Sequence, residues 1–336
     1  MSQRDTPPVG EEQRSNRVVR VLLAILGTIA LVALVQRAGV ENVWRTIAGV
    51  RPGWLAVWLL IEGIIFVAFA LRWRMLLHSL GASLPLPRLL GIRVAGLAVG
   101  TLTPGAKLGG EPLRAYLVSR DGVPVGPAVA SVAVDRALEL LANLVFAVVY
   151  CALFALRDRE TAGAVFGVVL LGGVVAVLGT TWLVRRLRRG GSIVPSRMKI
   201  VLTRLGASDD AMDRTDEALR ALLFARPRLL LGALGASLLI NLVIFSEYAV
   251  LFLAFGIDPT LPDLAGALLG VGLAHALPIP ASIGALEGAQ AVVFGLAEDD
   301  PRLALVAATA ARVRDIGWTI PGVAYLAMRA LRRRRT

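Results

Sequence analysis

Eight ionisable residues sit in or beside long apolar stretches of this chain: Glu62, Glu111, Arg136, Glu139, Glu247, Glu287, Arg312 and Asp315. At the centre of a bilayer each would cost about 2.5–3.5 kcal/mol on insertion scales, so each needs a partner or a wet cavity. Arg136 and Glu139 are three residues apart, as are Arg312 and Asp315, which puts each pair on one helix face. Two readings of these pairs stand level: they neutralise each other and hold a bundle, or they bind the charges of a substrate. Glu62 and Glu247 read as structural. Glu111 and Glu287 lean towards function. Each follows broken backbone, around Pro104, Gly109 and Gly110 in one case and Pro278, Pro280 and Gly284 in the other. Such backbone is tolerated at membrane depth mainly where it lines a cavity or is buried in protein.

The glycine-rich run from Thr103 to Glu111 could offer N–H groups to a phosphate. A helix beginning near Pro112 would add its positive end, with Lys107 and Arg114 beside it. The same glycines also permit a tight turn. The run is not a P-loop, because no Lys-Ser/Thr follows its second glycine. His78 and His275 stand without metal-ligand spacing, and no serine elbow is present. The residues therefore call for no metal, no cofactor and no catalytic group.

The elements that would position these charges are helices in a membrane. Of 336 residues 56% are hydrophobic, and they fall in long blocks rather than stripes. The net charge of +12 is nearly all arginine and sits beside the apolar blocks, which points to lipid headgroups rather than nucleic acid. Cys151 is the one cysteine and lies in an apolar run, so it reads as packing.

Six segments are long enough to cross: Val18–Val35, Trp54–Leu71, Ala128–Leu156, Ala162–Val184, Leu229–Phe255 and Leu303–Met328. Leu89–Val118 and Leu264–Leu296 are interrupted and read as re-entrant hairpins. Arginines crowd the N-terminal tail, the loop 185–228 and the C-terminus, which places all three in the cytoplasm. The first hairpin then opens from inside, flanked by Arg72, Arg74, Arg88 and Arg120. The second opens from outside, flanked by Asp258, Asp263, Glu298, Asp299 and Asp300. Within the loop, Ser208 caps a predicted amphipathic helix with Met212, Leu219, Leu222 and Leu223 on one face, expected on the inner membrane surface.

An internal repeat organises these pieces. Arg51-Pro52 matches Arg226-Pro227, and Gly91 matches Gly266, at an offset of 175. One residue later in register, Pro104 matches Pro280, Glu111 matches Glu287, Arg136 matches Arg312 and Glu139 matches Asp315. The expected fold is an all-α polytopic membrane protein: six full transmembrane helices and two re-entrant helical hairpins, arranged as an inverted repeat. Residues 1–17 form a disordered cytoplasmic tail and 18–330 one membrane domain. That domain holds repeat A at about 51–156, the cytoplasmic loop at about 185–228 and repeat B at about 226–330, and 331–336 form a basic tail. Gly96-x-x-x-Gly100 and Gly266-x-x-x-Gly270 are read as close helix packing.

The order Arg72-Trp73-Arg74, then Pro104…Gly109-Gly110-Glu111-x-x-Arg114, then Asp135-Arg136, followed in the second half by Pro278-x-Pro280, Gly284, Glu287 and Arg312, resembles a known family. It is similar to the transmembrane region of lysylphosphatidylglycerol synthases and related stand-alone flippase-like membrane proteins. The resemblance covers roughly residues 18 to 330. It implies a lipid flippase fold without the soluble aminoacyl-transferase domain of the synthases.

The expected function is translocation of a phosphate-bearing lipid, glyco- or aminoacyl-linked, through a polar cavity between the repeats. Lys107, Arg114, Arg136 and Arg312 would hold the phosphate, with Glu111, Glu139, Glu287 and Asp315 completing the site. Pro104, Gly109, Gly110, Pro278, Pro280 and Gly284 would shape the hairpins. The competing readings are a membrane-embedded glycosyl or lipid transferase (or its accessory subunit) and an ion or solute channel. Expected partners are membrane lipids, anionic or lipid-linked, with a lipid-synthesising enzyme and a second copy left open. The expected location is the cytoplasmic (inner) membrane of a bacterium.

Overall fold

The computed structural model describes residues 49–103, 109–192, 209–277, 279, 282, 285–295 and 301–333. The N-terminal tail, the segment Val18–Val35, Ser208, the acidic run 298–300, Pro104, Lys107, Pro278, Pro280, Gly284 and residues 334–336 of the basic tail lie outside the described residues.

Ten α-helices make up the described chain: α1 Pro52–Ser79, α2 Leu86–Leu102, α3 Gly110–Arg120, α4 Val125–Phe154, α5 Arg159–Arg188, α6 Asp209–Ala225, α7 Pro227–Ala254, α8 Leu261–Ala276, α9 Ala285–Gly295 and α10 Pro301–Arg333. Among them α1, α4, α5 and α7 are long and apolar enough to cross a membrane. At 1.5 Å per residue they span about 42–45 Å. Helices α2, α3, α8 and α9 are each too short for a comfortable crossing.

Helix starts show why the elements fall where they do. Proline occupies the first turn of α1, α2, α7 and α8, where its missing N–H costs nothing. Thr260 and Asp263 form a reciprocal capping box on α8. Asp158 caps α5 by accepting from the N–H groups of Glu160 and Thr161, at 2.9 and 3.0 Å. Its hydrogen bonds to Thr161 hold this carboxyl below the ordinary aspartate value. Its contribution is therefore full above the unfolded-state pKa and fades as pH falls through the folded one. Asp158→Ala is expected to cost about 1 kcal/mol near neutral pH. Melting curves of the two proteins should converge on acidification, and a gap that persists in acid would refute the cap.

The repeat is visible in the elements. Helices starting at 52, 86, 110 and 125 recur at 227, 261, 285 and 301. The equivalent helices α1 and α7 pack antiparallel. The N–H of Arg51 meets the carbonyl of Ala254 at one end, and Arg72 meets Ser237 at the other. In each repeat the two short helices pack on each other, and the first of them lies along the last helix of the other repeat, α2 on α10 and α8 on α4. Gly91 and Gly266, matched in the sequence, are the seats of that crossing. A Cβ on Gly91 would lie 2.2 Å from the Tyr325 ring, and one on Gly266 would lie 2.8 Å from the Phe154 ring.

Helix α5 is peripheral. Only 11% of its apolar window is buried, against 33% for α1, so its valines and leucines face outwards. Helix α6 departs from expectation. Its apolar face does not lie open to lipid. Met212, Leu219 and Leu222 are buried, and Leu219 and Leu222 pack with Leu76, Ala130, Val134 and Leu138 of the bundle. A Cβ on Gly126 would strike the α6 backbone at Arg214, so the two helices meet at backbone distance.

Candidate functional site

The first charged cluster lies where α1, α2, α3 and α4 converge. At its centre is Asp135, fully buried on α4. Three guanidiniums surround it: Arg72 from α1 at 2.8 Å, Arg114 from α3 at 2.7 Å and Arg93 from α2 at 3.2 Å. Glu139, one turn on, takes Arg93 at 3.3 Å and Arg136 at 2.7 Å. Arg136 also pairs with Glu111 of α3 at 3.3 Å. Four arginines thus face three carboxylates, an excess of one positive charge. Aromatic faces support the cations: Arg93 lies 3.9 Å from the Phe69 centroid and Arg114 lies 4.1 Å from that of Trp73. Indole Nε1–H of Trp73 donates to Ser131 at 3.2 Å, which fixes the ring.

The repeat-equivalent place holds a second lock. Arg312 of α10 grips Glu287 of α9 with two bonds, Nε to Oε1 at 2.8 Å and Nη2 to Oε2 at 2.9 Å. Its Nη2 also donates to the carbonyl of Ser282 at 3.0 Å. In both repeats, therefore, a glutamate near the start of the second short helix is tied to an arginine on the last helix. Asp315 faces His275 of α8 at 3.6 Å.

A third cluster joins the repeats. Arg314 Nε lies 2.9 Å from Glu62 Oε1 and 3.0 Å from Glu247 Oε1, and Trp58 Nε1–H donates to Glu247 at 3.0 Å. The antiparallel crossing of α1 and α7 explains its place. The positions of Arg72 and Ser237, which bond at 2.6 Å, correspond under the repeat to those of Glu247 and Glu62. One end of the crossing is a cation on a hydroxyl, and the other is a carboxylate facing a carboxylate.

Of the residues expected in the site, Glu111, Arg114, Arg136 and Glu139 come together in the first cluster. Glu287 and Arg312 come together in the second, and Asp315 lies on α10 beside it. Gly109 and Gly110 serve the tight turn: a Cβ on Gly109 would lie 2.0 Å from Thr103 Oγ1, and one on Gly110 would lie 2.1 Å from the carbonyl oxygen of Gly96. Helix α3 begins at Gly110, two residues ahead of the expected Pro112.

Sequence reasoning missed Asp135, Arg72, Arg93 and Arg314 as site members. Arg93 and Arg314 are cations inside apolar runs and were open to the rule that picked Arg136. Arg72 reads in the sequence as a charge flanking the first hairpin, because the apolar run ends at Leu71. The helix instead continues to Ser79, which carries the Arg72 side chain to full burial. A cavity of about 600 Å³ lies elsewhere, at the arginine-rich end of α5 among Thr181, Trp182, Arg185, Arg186 and Arg189.

Long apolar helices, paired short ones and buried charge ladders between them define a multi-pass integral membrane protein. Within that class the chain belongs to the lysylphosphatidylglycerol synthase TM region family, whose model matches residues 18–322. A UPF0104 membrane protein of Methanothermobacter thermautotrophicus is 24% identical over 91% of this chain and 94% of its own length. Another alignment to a protein so named in that organism is 33% identical over 38% of this chain and 36% of the relative. A UPF0104 membrane protein of Methanocaldococcus jannaschii is 25% identical over 37% of this chain and 38% of its own.

Proposed function

We propose that the protein translocates a phosphate-bearing lipid across the cytoplasmic membrane, with no catalytic step of its own. In this reading the chain crosses six times, the two short-helix pairs dip in from opposite sides, and both termini are cytoplasmic. The observation that carries the proposal is the pair of Glu–Arg locks, Glu111–Arg136 and Glu287–Arg312, at equivalent places in antiparallel repeats. Each ties a mobile-sized element, an 11-residue helix, to a long helix. A phosphate presents the same charge and the same acceptor oxygens to an arginine as a carboxylate does. It can therefore take the arginine from its glutamate and open one lock while the other stays shut. Alternating use of two equivalent locks is the logic of inverted-repeat carriers. Side-chain exposure of 18% at Arg136 and 23% at Arg312 leaves each within reach of an incoming headgroup.

The test is a reconstituted flipping assay in vesicles carrying fluorescent phosphatidylglycerol. The wild-type protein is expected to expose the probe to an external quencher from both leaflets. Arg136→Ala and Arg312→Ala are each expected to slow that exposure at least tenfold. Flipping at the wild-type rate by both variants would overturn the assignment of the locks.

A further inference from the structure

We propose that Glu62, Glu247 and Arg314 form a proton-binding site at the centre of the repeat interface, holding a single exchangeable proton between the two carboxyl groups.

Both carboxylates are at 0% exposure, and both lie against the same cation, Arg314. The single Nε–H of Arg314 donates to Oε1 of Glu62 and lies 3.0 Å from Oε1 of Glu247, which takes its hydrogen bond from Trp58. That satisfies both Oε1 atoms. The two remaining oxygens, Glu62 Oε2 and Glu247 Oε2, are buried and meet no donor among the described residues. Because both Oε1 atoms lie within 3.0 Å of the same Arg314 Nε, the two carboxyl groups stand no more than about 6 Å apart. Two carboxylates this close, sharing one guanidinium N–H in an apolar interior, are stable when one of them carries a proton. The charge count agrees. Two carboxylates and one guanidinium leave one negative charge, and a single proton brings the trio to neutrality.

The groups facing the pair come from three elements. Helix α1 contributes Trp58 and Glu62, and α7 contributes Glu247 and Tyr248. Helix α10 contributes Arg314 and Asp315, the latter against His275 of α8. The hydroxyl of Tyr248 is buried and has no hydrogen-bond partner among the described residues. One turn from both Glu62 and Arg314, Phe66 and Trp318 stack with centroids 3.5 Å apart and close that side. Arg314, at 21% side-chain exposure, is the open edge. Because α10 carries both Arg312 and Arg314, loading or removing the proton changes the charge that faces the helix holding the second lock. This link to transport rests on the translocation reading; the proton site itself does not.

Infrared spectroscopy of the full-length protein in lipid nanodiscs at neutral pH separates the two. With glutamate carrying a carbon-13 carboxyl label, the wild type should show an isotope-shifted band of a neutral carboxylic acid. Either Glu62→Gln or Glu247→Gln should abolish it, because the remaining glutamate becomes the ionised partner of Arg314. The glutamines keep the shape and neutrality of the pair, and each variant reads the result independently if the other fails to fold. Absence of the band from the wild type, or its survival in both variants, would overturn the proposal. In vesicles with an imposed pH gradient, wild-type flipping should respond to the gradient, and Glu62→Gln should flip without responding. Vesicles in which the wild type does not flip at all would count against translocation, while the infrared result decides the proton site.

Discussion

Replacing Asp135 by asparagine will destabilise the protein more than any other single charge change on α4. Asp135 is the shared counterion of Arg72, Arg93 and Arg114, and the side chains concerned are no more than 10% exposed. Asparagine keeps the volume and one acceptor but removes the charge. Three guanidiniums then lie within a few ångströms of one another, with Glu139 as the nearest remaining acid for two of them. Breaking a buried ion pair on one side costs about 3–5 kcal/mol. Here that cost falls on a net stability of about 5–15 kcal/mol. Thermal unfolding in detergent, followed by loss of the monodisperse peak in size exclusion, should show a marked drop. Adding Arg114→Met to the asparagine variant should recover part of the loss, since it removes one stranded cation and leaves an apolar chain over Trp73. An unchanged melting temperature for Asp135→Asn would show that the cluster is not the keystone of repeat A.

The second large effect is expected at Gly110. In the first hairpin α2 and α3 touch at backbone distance. A Cβ on Gly110 would sit 2.1 Å from the Gly96 carbonyl oxygen, where no side chain can rotate aside. Gly110→Ala must push the hairpin apart by an ångström or more, and overpacking of that kind costs about 1–3 kcal/mol. Gly110→Val should fail to give folded protein. The same displacement moves Arg114 away from Asp135, so its effect on flipping should exceed its effect on stability. Gly179→Ala is the control: nothing lies within 4 Å of that site on α5, and alanine there should be neutral or slightly stabilising. Equal melting temperatures for Gly110→Ala and Gly179→Ala would rule out the close approach.

Hydropathy and proline spacing made the helices legible. The apolar runs Trp54–Leu71 and Leu229–Phe255 mark α1 and α7 to within a few residues at their starts, because Pro52 and Pro227 set those starts. The breaks at Thr103 and at Gly109-Gly110 are real ends of helices. The repeat was legible because its spacing is nearly constant, and its antiparallel helices appear in the contacts of Arg51, Trp58 and Arg72 with α7. What stayed hidden was depth. A sequence shows that Arg72 follows the last apolar residue of a run but not that the helix runs on for two further turns. It also shows Arg136 and Glu139 on one face without revealing that Asp135, pointing elsewhere, collects three arginines from three other helices. Glu62 and Glu247 looked like isolated structural acids because their meeting depends on the crossing of two helices 165 to 189 residues apart in contact. For α6 the period identified the apolar face, but only tertiary packing says that protein rather than lipid covers it.

The partners of α10 also order events during biosynthesis. Helix α10 carries Arg312, Arg314 and Asp315 in its middle and lies outside the group of helices apolar enough to span on their own. Among the described residues, the acids that receive its arginines, Glu287 for Arg312, Glu62 and Glu247 for Arg314 and Asp121 for Arg329, all precede it in the chain. The groove that seats Tyr325 on Gly91 is likewise in place before α10 emerges. Helix α10 is thus a long helix outside the group apolar enough to span alone, and its charge partners are all synthesised before it. Chains stalled before residue 301 would hold Glu62, Glu247 and Glu287 without these arginines.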